Sequence, residues 1–172
     1  DYIYLKPLFV FDLKDVYANC GAIILLFYIY NRDKYKINPR KMQIIKATPQ
    51  DAAEILELQH QAFQSEAALY NNHDIEPLKQ TLPSIEADFE NYTGLKAVYN
   101  NKILGSIKLK AEGNTCWIGR LIVSPNYQRQ GIGRKLLAEA EKIFPDIHTY
   151  LLFTGSKSVH NIQLYEAVGY QK

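Results

Sequence analysis

The chain has 172 residues, enough for one ordinary domain. Its 47% apolar and 22% charged content is that of a globular protein. A net charge of +2, from 20 Lys and Arg against 18 Asp and Glu, gives no basic excess of the kind a nucleic-acid binder shows. The two cysteines, Cys20 and Cys116, lack metal-ligand spacing and fit a reducing compartment, hence a cytoplasmic location, with neither a disulfide framework nor a metal site.

Charge and composition shift near residue 41. Residues 1–41 carry seven Lys and Arg against four Asp and Glu, and hold six of the thirteen tyrosines; residues 42–172 carry thirteen against fourteen. Met42 is the only methionine. The segment 1–41 therefore reads as a leader or a genuine extension outside the core domain, 42–172. Its most apolar run, 22–30, is too short to span a bilayer, which takes about 20 residues, and lacks the flanks of a signal peptide. No membrane contact is predicted.

Within 42–172, residues 42–47 read as a short strand. Thr48, Pro49 and Asp51 then signal a helix start, with a capping hydroxyl, a proline at the first helical position and a carboxylate at the positive dipole end. Ala52, Ile55, Leu56 and Phe63 carry that helix to about residue 64. Residues 70–83, broken by Asn71, Asn72, Pro77 and Pro83, read as loop, and 84–91 as a second short helix. Three strands follow at 94–100, 103–111 and 115–123, with tight turns at Asn100-Asn101 and Glu112-Gly113-Asn114. Residues 131–144 form an amphipathic helix, 148–153 a strand and 159–167 a last helix. The order β-α-α-β-β-β-α-β-α implies an α/β domain with a mixed sheet.

The stretch that carries chemistry runs from Leu121 to Arg134: Leu-Ile-Val-Ser-Pro-Asn-Tyr-Gln-Arg-Gln-Gly-Ile-Gly-Arg. It is a strand, a loop and a helix opening on Gly131 and Gly133. A helix start presents unpaired N–H groups and partial positive charge, a ready site for phosphate, and glycine permits close approach. Arg129, Arg134 and Lys135 add charge. A Walker loop is absent, and Leu136 stands where a dinucleotide fingerprint needs its third glycine. On the glycines alone, a plain strand-turn-helix connection stays open.

The wider pattern, Leu-x-Val-x-Pro, then Gln-x-x-Gly-x-Gly and Arg before an amphipathic helix, resembles the GNAT superfamily of N-acetyltransferases. Asn161 to Tyr170, with Leu164-Tyr165 and Gly169-Tyr170, looks like that family's closing helix motif. The resemblance covers essentially all of 42–172. It implies a mixed, mostly antiparallel sheet flanked by helices, with a bulge in the strand at 116–123 and a splayed V between it and 148–153. Acetyl-CoA would be the cosubstrate. Its pantetheine arm would pair with the backbone of Leu121, Ile122 and Val123, a backbone N–H near Ile122 would polarise the thioester carbonyl, and the pyrophosphate would lie on the turn of Gln128, Arg129, Gln130, Gly131, Ile132, Gly133 and Arg134. Tyr165 matches the tyrosine that protonates the departing thiolate. The acceptor would be an amine of a small molecule, or a protein N-terminus or lysine; homodimerisation is left open.

Two departures matter. Where many family members have a cofactor-contacting asparagine, Ser158 stands here, with Asn161 a nearby substitute. Where some place a glutamate base, Phe153 and Thr154 stand. Glu66, His60 and His73 fall toward the acceptor side, but the plainer reading of each is solvated surface. A non-catalytic acyl-CoA sensor is the rival function. The family also usually continues with a further strand beside 148–153; the chain is expected either to leave that place open, to fill it from a partner, or to fold 22–30 back into it, a truncated gene product being the plainest account.

Overall fold

The computed structural model describes residues 34–171. The expected run at 22–30, and with it the fold-back onto 148–153, lies outside the described residues. The larger of two compact units begins at Ile37. Ile37 and Met42 are both buried in its core, so the segment just ahead of Met42 packs with the domain.

Five strands form one sheet in the order β1 to β5: β1 (Gln43–Lys46), β2 (Thr93–Tyr99), β3 (Lys102–Glu112), β4 (Thr115–Val123) and β5 (Thr149–Leu152). The first four pair antiparallel, and β5 runs parallel to β4. The β2–β3 turn places Asn100 and Asn101 both at positive φ, 49° and 59°, the backbone that matches the twist of a two-residue hairpin. Helices α1 (Ala52–Tyr70), α2 (Glu76–Lys79) and α3 (Leu82–Asn91) belong to one side of the sheet, and α4 (Ile132–Ile143) packs on the other. The last helix is α5 (Val159–Ala167).

The α1 start follows the sequence. The Asp51 carboxylate accepts from the Thr48 N–H at 2.8 Å and from its hydroxyl at 3.0 Å. The helix runs past residue 64 to Tyr70, because Ala67 is fully buried and Asn71, in the left-handed region at φ 49°, ends it only there. The expected loop at 70–83 contains the single-turn α2, held to α1 by Gln59, whose Nε2 donates to the Pro77 carbonyl at 2.9 Å and to Oε1 of Gln80 at 2.8 Å. Below α4, Leu95, Ile107, Leu109, Cys116, Leu136 and Leu137 form the larger core cluster; Ile55, Leu58, Ile85 and Ile122 form the smaller one under α1 and α3.

Candidate functional site

Along β4, Cys116 and Ile118 pack toward the α4 core, and so do Leu121 and Val123, while Ile122 joins the opposite cluster. That pattern requires one extra residue between Ile118 and Leu121. The register supplies it: Lys108 pairs with Gly119, yet Ser106 pairs with Ile122. The extra residue goes with Arg120, at φ 49°. This is a β-bulge, which bends the strand and re-aims side chains. The signal was present in the sequence as a change of parity in the apolar positions, 116 and 118 then 121 and 123.

Pairing between β4 and β5 covers only Thr115↔Thr149 to Ile118↔Leu152. Beyond Ile118, β4 has no β5 residue beside it among the described residues, because β5 ends at Leu152. Leu121, Ile122 and Val123, the residues predicted to meet a pantetheine arm, lie along this unpaired side. The strand β5 has no neighbour on its other edge among the described residues. Phe153 just beyond it is 86% exposed and stacks on Trp117 with centroids 5.8 Å apart.

After β4 the chain turns at Pro125–Tyr127 and enters α4. Gly131 is the N-cap at φ 82°, in the left-handed region, and no side chain caps the helix. The first backbone bond of the turn runs from the Lys135 N–H to the Gly131 carbonyl at 3.0 Å. The N–H groups of Ile132, Gly133 and Arg134 precede it and have no acceptor within the helix by its geometry. Around them, Gln128 Nε2 donates to the Val123 carbonyl at 3.3 Å, Arg129 Nη2 lies 3.0 Å from His160 Nε2, and Gln130 Oε1 accepts from the Ile37 N–H at 2.9 Å. Lys135 is turned aside, its ammonium on the Pro39 carbonyl at 2.9 Å. Gly133 faces α5: a Cβ there would sit 3.2 Å from Cδ2 of Leu164.

Helix α5 carries Tyr165, packed against the main core and edge-on to Tyr170. Burial, then the nearby Glu66 charge, pushes the Tyr165 phenol up to about 12, so it holds its proton through the neutral range. Glu66 itself differs from the solvated residue expected. Its two carboxylate oxygens accept from the Ser158 hydroxyl and, at 3.0 Å, from Nδ2 of Asn161. Ser158 is buried, and Asn161 points its amide at α1. Tyr70, one turn on from Glu66, accepts from the Lys157 N–H at 2.7 Å. His60 also departs from expectation, its Nε2 being buried with no hydrogen-bond partner among the described residues, whereas His73 is exposed as expected. Among the described residues no cluster of His, Cys, Asp and Glu could hold a metal ion, and no helix is long and apolar enough to cross a membrane.

Residues 52–170 match the family model described as acetyltransferase (GNAT) family. The chain belongs to the GNAT acetyltransferase family. It is 30% identical over 121 residues to the UPF0157 protein YqkA of Bacillus subtilis (strain 168), covering 70% of this chain and 35% of that protein, so it spans about a third of the relative's length. Its fold is that of the PaiA N-acetyltransferase from Thermoplasma acidophilum, solved in complex with coenzyme A: TM-score 0.68, 22% identity, 76% of this chain and 89% of that one. It is also that of the ribosomal-protein-S18-alanine N-acetyltransferase from Escherichia coli: TM-score 0.63, 19% identity, 76% and 78%.

Proposed function

We propose that this GNAT domain transfers the acetyl group of acetyl-CoA to an amine of a small molecule or protein. The observation that carries the reading is the uncapped start of α4, three amides behind a left-handed Gly131, at the end of a bulged strand whose last residues have no β5 partner among the described residues. Such amides and the helix dipole suit a pyrophosphate, with Gln128 to Arg134 as its cradle. The backbone of Leu121, Ile122 and Val123 is then the edge for the pantetheine amides, in the manner of an added strand. An N–H near Ile122 would hydrogen-bond the thioester oxygen as negative charge grows on it.

In this reaction the amine lone pair attacks the acetyl carbon, the C–S bond breaks, and the thiolate takes a proton from Tyr165, which regains one from solvent. The amine proton leaves to water; Glu66 accepts from Ser158 and Asn161 and is read here as a structural carboxylate. Asn161 serves here by holding α5 to α1 and so fixing the cradle's flank. The rival reading, a sensor that binds acyl-CoA without turnover, draws on the same missing base, with exposed Phe153 at the end of β5. A panel of amines with acetyl-CoA and a free-thiol readout tests both. Thiol release that depends on an amine supports transfer; saturable coenzyme A binding with no release on any amine would leave only the sensor.

A further inference from the structure

We propose that the acceptor carries a carboxylate beside its amine, and that Arg120 receives that carboxylate in the cavity between α1, α3 and the sheet. The inference rests on the acetyl-transfer reading for the amine, but not for the carboxylate.

The cavity has a volume of about 40 Å³. One water needs roughly 10–15 Å³ on that scale, so the space suits a group of about three heavy atoms, which a carboxylate is. Its charged and amide side chains are paired with one exception. Gln80 Nε2 donates to Oδ2 of Asp88 at 2.7 Å, and the Lys108 ammonium sits on the same oxygen at 2.9 Å. Glu76, beyond that wall, pairs with Lys79 at 3.0 Å. Arg120 is the exception. It has no ion pair among the described residues, and its Nε is buried without a hydrogen-bond partner. The nearest support is the Phe63 ring, 5.8 Å from the guanidinium carbon. The Asp88 carboxylate is paired with Lys108, and no carboxylate pairs directly with Arg120 among the described residues.

Arg120 is half-buried, and a buried N–H left without an acceptor, as its Nε is, is costly. Burial draws the Arg120 guanidinium below its usual value, and the charges of Asp88 and Glu76 oppose this only in part. The backbone adds strain of its own, since φ 49° is the left-handed region that a non-glycine residue adopts at a cost. Arg120 lines this cavity and lies two residues before Ile122, near which the thioester oxygen is proposed to sit. A carboxylate in a bidentate pair with Arg120 satisfies the Nε and cancels the charge.

The test pairs acceptors that differ only in this group: phenylalanine with phenethylamine, and lysine with cadaverine, each with acetyl-CoA and a free-thiol readout. The wild-type chain is expected to show kcat/KM at least tenfold higher for the carboxylate member. Arg120→Gln is expected to remove that preference while the KM for acetyl-CoA stays, and Arg120→Lys to restore part of it. Equal kcat/KM within each pair, or an equal loss on both members in Arg120→Gln, would overturn the inference. A second arm needs no turnover: the amino acids should raise Tm without acetyl-CoA, and Arg120→Gln should abolish that rise. If no amine is consumed but this rise is present and Arg120-dependent, the carboxylate site stands and acetyl transfer falls. If neither preference nor rise appears, the site is refuted.

Discussion

The Cβ that Gly133 lacks would lie 3.2 Å from Cδ2 of Leu164, so the helix bearing the proposed phosphate cradle and the helix bearing Tyr165 meet at a residue with no side chain. A branched side chain at 133 must push α4 and α5 apart. Gly133→Val is expected to cost about 1–3 kcal/mol of stability, the usual range for overpacking. Combined with Gly131→Val, whose left-handed backbone disfavours any branched residue, it should abolish coenzyme A binding. Urea denaturation and titration with coenzyme A measure the two effects; unaltered binding in the double variant would show that the cradle is elsewhere.

Tyr165→Phe is expected to lower kcat with little change in coenzyme A affinity, because a proton given to the leaving thiolate matters only in the transition state. An unchanged kcat would reduce Tyr165 to a packing residue. The same variant has a signature in alkali. A phenol held at about 12 in the fold and about 10 when unfolded stabilises fully below pH 10, and that contribution is lost as pH rises toward 12. The wild type should therefore lose more stability than the variant across this window. Tyr170, also raised by burial and then by Glu141, keeps part of the loss in both.

The Glu66–Asn161 bond can be isolated with a double-mutant cycle. Glu66→Ala leaves the Ser158 hydroxyl and the Asn161 amide without their acceptor and is expected to cost about 1–3 kcal/mol. The cycle with Asn161→Ala should give a coupling of roughly 0.5–3 kcal/mol, the range for residues in one network. Additive losses would mean the contact contributes nothing in solution.

Asp51 links the start of α1 to β2 through Lys96. Burial alone would raise its carboxyl, but the Lys96 ammonium and the Thr48 hydrogen bonds outweigh burial and hold it below 3.8. A carboxyl depressed by folding stabilises above its unfolded value, and that gain is lost as pH falls through the lower folded value. The stability gap between wild type and Asp51→Asn should be open at pH 6 and narrow as pH falls below the ordinary carboxylate range. A gap that does not change with pH would remove the ion pair as its cause.

The strands and the α4 start were legible because their causes are local. Alternation in 94–123, the Asn100-Asn101 turn and the two glycines before an amphipathic run act over a few residues. What was not legible depends on distant contacts. Glu66 looks like any charged helix residue until α5 brings Ser158 and Asn161 to it. The end of α1 lies beyond what its sequence signals, because Ala67 carries little hydrophobic signal though it is fully buried. The parity change around Arg120 marks an inserted residue in the sequence, and the β3 register locates it between Ile118 and Leu121. The α2 turn forms among prolines because Gln59 satisfies the backbone beside it.

The Glu66 clasp has a thermodynamic corollary. It joins α1, one wall of the proposed acceptor cavity, to α5, which touches the proposed cradle at Gly133 and lies beside Arg129 through His160. Should a ligand at either end tighten that clasp, linkage requires reciprocity: whatever factor acetyl-CoA adds to acceptor affinity, the acceptor must add to acetyl-CoA affinity. The order in which the two substrates bind would then be a preference of degree, set by one carboxylate, and Glu66→Gln would shift that factor equally for both.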